Sequence, residues 1–302
     1  MRRVITVFTL ILMTFGCSNN DNSKGSNNDS LQTTYTDTTQ MNLNVLNESI
    51  QYIGFIDKFY FSEDNEVYVE LYFVKEKTSD DEYEKIVKLA DSLIYQDDES
   101  SRLKFPDNLS HKYFNLRGLS NLKIYDKNNK LYCNAYFVRV EYLDQNISSP
   151  FIAVFKTDKL IKEDGYYGIS NFNGTFEQIN YKVSKDTILT QSILTKLKEQ
   201  RPYFGLENNG IHLSFSNNDT VLSIINSENY AYVTLTTNKD LKVLYKNQDF
   251  ENFSDIRIIP LTKDKFPFIL IRNIKPETDV MWDNLLIYNG TKYTAANKQW
   301  NE

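Results

Sequence analysis

Apolar positions along this chain recur at two different spacings, and the change from one to the other marks out its elements. From Glu66 to Val74, Val67, Val69, Leu71 and Phe73 alternate with Tyr68, Glu70 and Tyr72, which predicts a strand with one face buried. Tyr52 to Phe61 is a second β-type run, and the polar turn Ser62-Glu63-Asp64-Asn65 between them predicts a hairpin. The spacing then becomes helical. Ser79 followed three residues later by Glu82 forms a capping box, and Ile86, Leu89, Ala90 and Leu93 fall on one face, so a helix is expected over about 80–95. The acidic stretch Gln96 to Ser101 ends it, and Pro106 to Ser120 reads as irregular.

Leu122 to Tyr125 and Leu131 to Tyr142 predict a second hairpin around Asp126-Lys127-Asn128-Asn129, and Phe151 to Phe155 a short buried strand. Asn173-Gly174 supplies the dipeptide that a type I′ turn requires. A second amphipathic helix is expected over 186–199, with Leu189, Ile193 and Leu197 in register and Pro202 beyond its end. After Gly210 the helical period disappears. Ile211–Phe215, Val221–Ile225, Tyr230–Thr236, Leu241–Tyr245, Ile256–Leu261, Phe268–Ile271 and Leu285–Tyr288 follow one another, separated by turn residues that include Asn289-Gly290. That cadence predicts an antiparallel meander or sandwich. The expected class is therefore α+β, mainly antiparallel β, with an N-terminal β-rich lobe at 41–185 and a helix plus all-β lobe at 186–302, separate or fused into one domain.

The first forty residues follow neither spacing. Arg2 and Arg3 precede an uncharged apolar run from Val4 to Phe15, then Gly16 and Cys17. The run is too short for the ~20 residues that a membrane-spanning helix needs, and it has the layout of an export signal. Gly16-Cys17 resembles the lipobox of bacterial lipoproteins, although Thr14 and Phe15 stand where that family usually has Leu and a small residue. The resemblance covers the leader alone. It implies removal of residues 1–16, acylation of Cys17 and a lipid anchor in the bacterial outer membrane. Residues 18–40 are almost entirely polar and read as a disordered tether with an end-to-end distance of roughly 25–30 Å. Within it, Asp29-Ser30-Leu31 and Asp37-Thr38-Thr39 resemble the tripeptide of a bacterial periplasmic O-glycosylation system, which makes Ser30 and Thr38 candidate acceptors.

Charge and cysteine usage narrow the function. Loss of Arg2 and Arg3 takes the formal net charge from −6 to −8, and no Lys/Arg block is present, so nucleic acid is not an expected partner. With Cys17 lipidated, Cys133 has no partner for an intramolecular disulfide, so the body must rely on its core. Strand parity places Cys133 with Leu131, Ala135 and Phe137 on a buried face. The same parity places His212 opposite Ile211 and Leu213, with solvent as its expected surroundings. His111 beside Ser110 lacks any nucleophile-elbow context. Asp80-Asp81-Glu82 and Asp97-Asp98-Glu99 lack the spacing of a Ca²⁺ loop. No catalytic, cofactor-binding or metal-ligating set is therefore nominated, and no cofactor is expected. The leading expectation is a membrane-anchored binding module of the cell envelope with a protein or glycan ligand. Two alternatives remain: a carboxylate-dependent hydrolase of envelope or extracellular polymer, and a toxin-neutralising inhibitor.

Overall fold

The computed structural model describes residues 52–58, 65–71, 79–94, 102–114, 116, 118–143, 150–162, 165–170, 176, 180–200, 209–215, 219–226, 231–238, 240–247, 252–263, 265–274 and 281–296. The leader, Cys17, Ser30, Thr38, Asp97 to Glu99 and the Asn173-Gly174 turn lie outside these residues. Met41–Glu302 form one compact unit, and the α+β class dominated by antiparallel strands is what the chain adopts.

The first sheet nearly closes on itself. It contains β1 (Ile53–Phe55), β2 (Asp57–Lys58), β3 (Glu66–Leu71), β5 (Asn121–Tyr125), β6 (Leu131–Leu143), β7 (Phe151–Thr157) and β8 (Tyr167–Ser170), in the order β1-β8-β5-β6-β7-β3-β2; β4 (Arg102–Lys104) pairs with β6 beside this path. Ile56 alone separates β1 from β2. One continuous segment therefore pairs with β8 through its first half and with β3 through its second, giving a barrel-like wall. Val67, Val69 and Leu71 face the interior, as their alternation predicts, together with Leu122, Ile124, Cys133, Ala135, Phe151 and Phe155. Residues of α1 (Asp80–Ile94) and α2 (Asp107–Tyr113) complete this core with Ile86, Ala90 and Tyr113.

The capping box is half realised. Ser79 Oγ accepts the Glu82 N–H at 3.3 Å, but the Glu82 carboxylate accepts instead from Tyr113 Oη at 2.7 Å and Lys112 Nζ at 3.1 Å. Leu89, expected on the buried stripe, is half exposed because Ile86 and Ala90 make the contact one turn apart. The irregular reading of Pro106 to Ser120 is corrected by α2. This seven-residue helix, with Ser110 and Tyr113 buried, starts after Pro106, whose carbonyl accepts from the Leu109 and Ser110 N–H groups, and it is too short to show a period.

A second sheet packs on the barrel and a third packs on the second. The second has the order β14 (Asn252–Lys263), β15 (Phe266–Ile274), β16 (Met281–Tyr288), β17 (Tyr293–Ala296). Its Phe268, Leu270, Leu285 and Ile287 pack on Ile53, Phe55, Tyr125, Tyr167 and Ile169 of the barrel. Its Ile269, Ile271, Leu286 and Tyr288 face the other way, against Leu213, Leu222, Ile224, Ala231 and Val233 of the third sheet. Burial on both faces accounts for the unbroken apolar runs at 268–271 and 285–288. It also gives the two halves of the chain a shared core. The third sheet has the order β13 (Leu241–Lys246), β12 (Ala231–Thr236), β11 (Val221–Asn226), β10 (Asn209–Phe215), β9 (Tyr181–Ser184). Its outer face is covered by α3 (Thr187–Gln200), whose Ile193, Leu194 and Leu197 pack on Ile225 and Tyr232.

Candidate functional site

His212 does not face solvent. It is fully buried, because the face that parity assigns to it is the one roofed by α3. Its Nδ1 lies 2.8 Å from Ser223 Oγ, and its Nε2 lies 2.7 Å from Thr190 Oγ1 and 3.1 Å from the Asp186 carbonyl. Thr190 donates its own hydroxyl proton to that same carbonyl at 2.8 Å, so both groups near Nε2 are acceptors. Nε2 therefore carries the proton, and Nδ1 accepts from Ser223. Burial pushes the imidazole below its ordinary pKa, keeping it neutral. Gly210 makes the fit: a Cβ there would come within 2.9 Å of Thr190 Oγ1 and 3.3 Å of His212 Cε1. A hydroxyl donating to imidazole is the arrangement of an activated serine. Here Ser223, Thr190 and His212 are all buried, and what they hold is α3 against its sheet.

The other singled-out residues fall into place by their surroundings. His111 is exposed in the last turn of α2. Cys133 is buried in the barrel, and desolvation pushes its thiol up to about 12, the opposite of a reactive cysteine. Asp80 opens α1, the helix end that favours acids. Among the described residues, no three of His, Cys, Asp and Glu come together as a metal-binding group.

Two charge networks are closed on themselves. Arg139 Nη1 and Nη2 reach the two Glu66 oxygens at 2.9 and 3.0 Å, and its Nε reaches Glu141 at 2.6 Å. Arg102 grips the other Glu141 oxygen at 2.6 Å and approaches Glu66 at 3.5 Å, completing a ring of two arginines and two glutamates. The Arg139 hydrogen bonds hold the Glu66 carboxyl below its usual range. At the junction between barrel and second sheet, Arg272 pairs with Asp57 at 2.6 and 2.9 Å and with Asp283 at 2.8 and 3.2 Å. Its guanidinium lies 4.9 Å from the centre of the Phe55 ring, and Arg257 approaches the same ring at 5.8 Å. Asp57 and Asp283 thus stand on either side of one guanidinium that binds both. A glycosidase pair instead needs one protonated acid and one free carboxylate across a cleft.

Among the described residues, one set of groups without side-chain partners lies on the outer wall of the barrel. The register across the sheet sets Asn121 (β5), Tyr136 (β6) and Lys156 (β7) side by side, and Lys123 (β5) beside Asn134 (β6) in the next row. Cys133, Ala135 and Phe137 point inward, so Tyr136 points out, and the bulge between Phe137 and Arg139 leaves Val138 exposed next to it. Tyr136 is 56% exposed. Most tyrosines of the body are tied down: Tyr132 donates to the Leu160 carbonyl, Tyr167 to Asn129 and Tyr293 to the Pro267 carbonyl. Among the described residues Tyr136 has neither a hydrogen-bond nor a ring partner, and the Lys123 and Lys156 side chains have no carboxylate partner. Sequence parity carried the signal for Tyr136, since the alternation that buries Cys133 turns it outward. Compared with protein families, curated proteins and solved structures, the chain matches none.

Proposed function

We propose that this chain is an exported bacterial lipoprotein, anchored in the outer membrane by acyl chains on Cys17, whose β-rich body binds a component of the cell envelope rather than catalysing a reaction. The address rests on the order of basic residues, apolar run and Gly16-Cys17 in the leader. Two or three acyl chains anchor stably where one does not. The binding reading is supported by one observation above all. The imidazole, the thiol and the two arginine–carboxylate networks are committed inside the fold, whereas Tyr136 and its two lysine neighbours are held on a sheet wall with no side-chain partner among the described residues.

Both parts are tested with the full-length chain. Intact mass of the membrane-extracted protein should show loss of residues 1–16 and added acyl mass, and the Cys17→Ser variant should partition to the soluble fraction. Full membrane retention of Cys17→Ser refutes the anchor. That soluble variant should adsorb to isolated cell envelopes, and adding Tyr136→Ala should abolish adsorption. Equal adsorption with and without Tyr136→Ala refutes the role of the wall.

A further inference from the structure

We propose that the Tyr136 wall binds an acidic polysaccharide, a chain of carboxylate-bearing sugars; this deepens the binding reading above and rests on it. The argument begins with what the wall lacks. β6 is an interior strand, paired with β5 on one side and β7 on the other. Its backbone groups are committed to the ladder, so a partner peptide has no edge here to extend. Tyr136 and Val138 are the exposed large apolar side chains at this point of the wall. Two such residues fall far short of the roughly 800 Å² per partner of a stable protein interface.

What the wall offers is side-chain chemistry suited to a sugar. The Tyr136 ring is held on a rigid strand and needs no reorganisation to lie against the apolar face of a pyranose. Asn121 and Asn134 place amides on its flanks, where hydroxyls can be recognised in both directions. Lys123 and Lys156 stand on the two strands beside β6, which run roughly 10 Å apart. Their ammonium groups are free to meet charge on successive units of an extended chain.

The sign of the ligand follows from the surrounding charges. Glu66, next across the sheet from Lys156, is neutralised within the arginine ring. Asp158 accepts from the Asn134 backbone N–H at 3.2 Å and from its side-chain amide at 3.4 Å, at the border of the site. Among the described residues, a protein of net charge −6 thus presents at this wall an aromatic platform with two cations that have no carboxylate partner. An acidic chain is held there and repelled by the acidic remainder, which fixes where it lies.

The test is calorimetric titration of the full-length Cys17→Ser protein with three probes: polygalacturonate, neutral dextran and poly-L-glutamate. Polygalacturonate should bind and lose affinity as salt is raised. Tyr136→Ala and the Lys123→Gln, Lys156→Gln pair should each weaken it at least tenfold, and Tyr136→Phe should stay within threefold of wild type. Urea melts matching wild type establish that the variants remain folded. Dextran binding as tightly, with the same dependence on Tyr136, overturns the acidic character; poly-L-glutamate binding as tightly overturns the saccharide. Either result leaves Tyr136-dependent binding standing. Polygalacturonate binding that is absent, or untouched by Tyr136→Ala, overturns the inference itself. The envelope adsorption assay decides separately whether the wall binds anything.

Discussion

The buried imidazole should make the stability of this protein depend on pH in a way that a single substitution removes. In the folded chain His212 is neutral, with Nε2–H donating toward Asp186 O and Thr190, and Nδ1 accepting from Ser223. Protonation would turn Nδ1 into a donor facing a hydroxyl already aimed at it, inside a sealed site. The elements packed against it bring little compensating charge. β10, β11 and β12 carry no acidic or basic side chain other than His212 itself, β9 ends in Ser184, and the Asp186 carboxylate is engaged with the Leu189 N–H at 2.9 Å. Burial therefore wins, and the folded-state pKa lies below that of the unfolded chain. Above the ordinary histidine pKa of ~6.5 the site contributes its full stability. As the pH falls below that value the unfolded chain takes up a proton that the folded one refuses. Stability then drops by up to about 1.4 kcal/mol per pH unit until the folded pKa is reached. Urea melts of wild type and His212→Leu from pH 8 to pH 4.5 isolate the effect, because every other titrating group is common to both. At pH 8, His212→Leu should cost about 1–3 kcal/mol, since it keeps the volume but leaves the Ser223 hydroxyl buried without an acceptor. Adding Ser223→Ala should recover much of that loss. Below pH 6.5 the gap between wild type and His212→Leu should narrow. Parallel pH profiles for the two proteins would refute the neutral, sealed imidazole.

Three further outcomes follow from the same geometry. Cys133 should resist thiol reagents in the folded state and become reactive only in denaturant, and Cys133→Ala should cost on the order of 1 kcal/mol in urea melts. Gly165→Ala should lower stability by about 1–3 kcal/mol, because Gly165 sits at φ +89° and a Cβ there falls on the Arg257 guanidinium; an unchanged unfolding midpoint would count against the junction. Arg272→Ala should cost about 3–5 kcal/mol by leaving Asp57 and Asp283 without their shared cation. Joining Asp57→Asn and Asp283→Asn to it should restore part of that loss, readable as non-additivity in the same melts.

How far the fold could be read depended on how far each element carries its own period. The runs that became β3, β6, β7 and β10 to β16, and both long helices, are visible because six to fifteen residues repeat a pattern. β2, β4, β8, β9 and β17 are two to four residues long, and α2 is seven, too short for any period to emerge. Closure of the barrel rests on Ile56, where one segment passes from β8 to β3, and no local pattern encodes that double pairing. His212 teaches the same lesson at the level of a site. Its parity relative to Leu213 is as the alternation predicts, but alternation says only that two faces differ. That the second face is roofed by α3 is a tertiary fact, and it turns an expected surface residue into a buried one.

The wall around Tyr136 shows the opposite case, in which local information suffices once the charges are counted. Twenty-one tyrosines read as one compositional class, suited to strands and silent about function. Partnership separates them. Tyr142 is bonded to Asp91, Tyr113 to Glu82 and Tyr288 to the Gly290 carbonyl, each fixing a junction between elements. Tyr136 fixes nothing, so a Tyr136→Ala change costs the fold little, and no structural need accounts for an aromatic at that position. The lysines beside it follow the same logic. Arg102, Arg139, Arg257 and Arg272 are each paired with carboxylates, and Lys112 with Glu82 between the first two helices. Among the described residues Lys123 and Lys156 are point charges outside that scheme, set beside the exposed Tyr136 ring, and it is this separation of structural from unspent charge that directs attention to the wall rather than to the buried histidine.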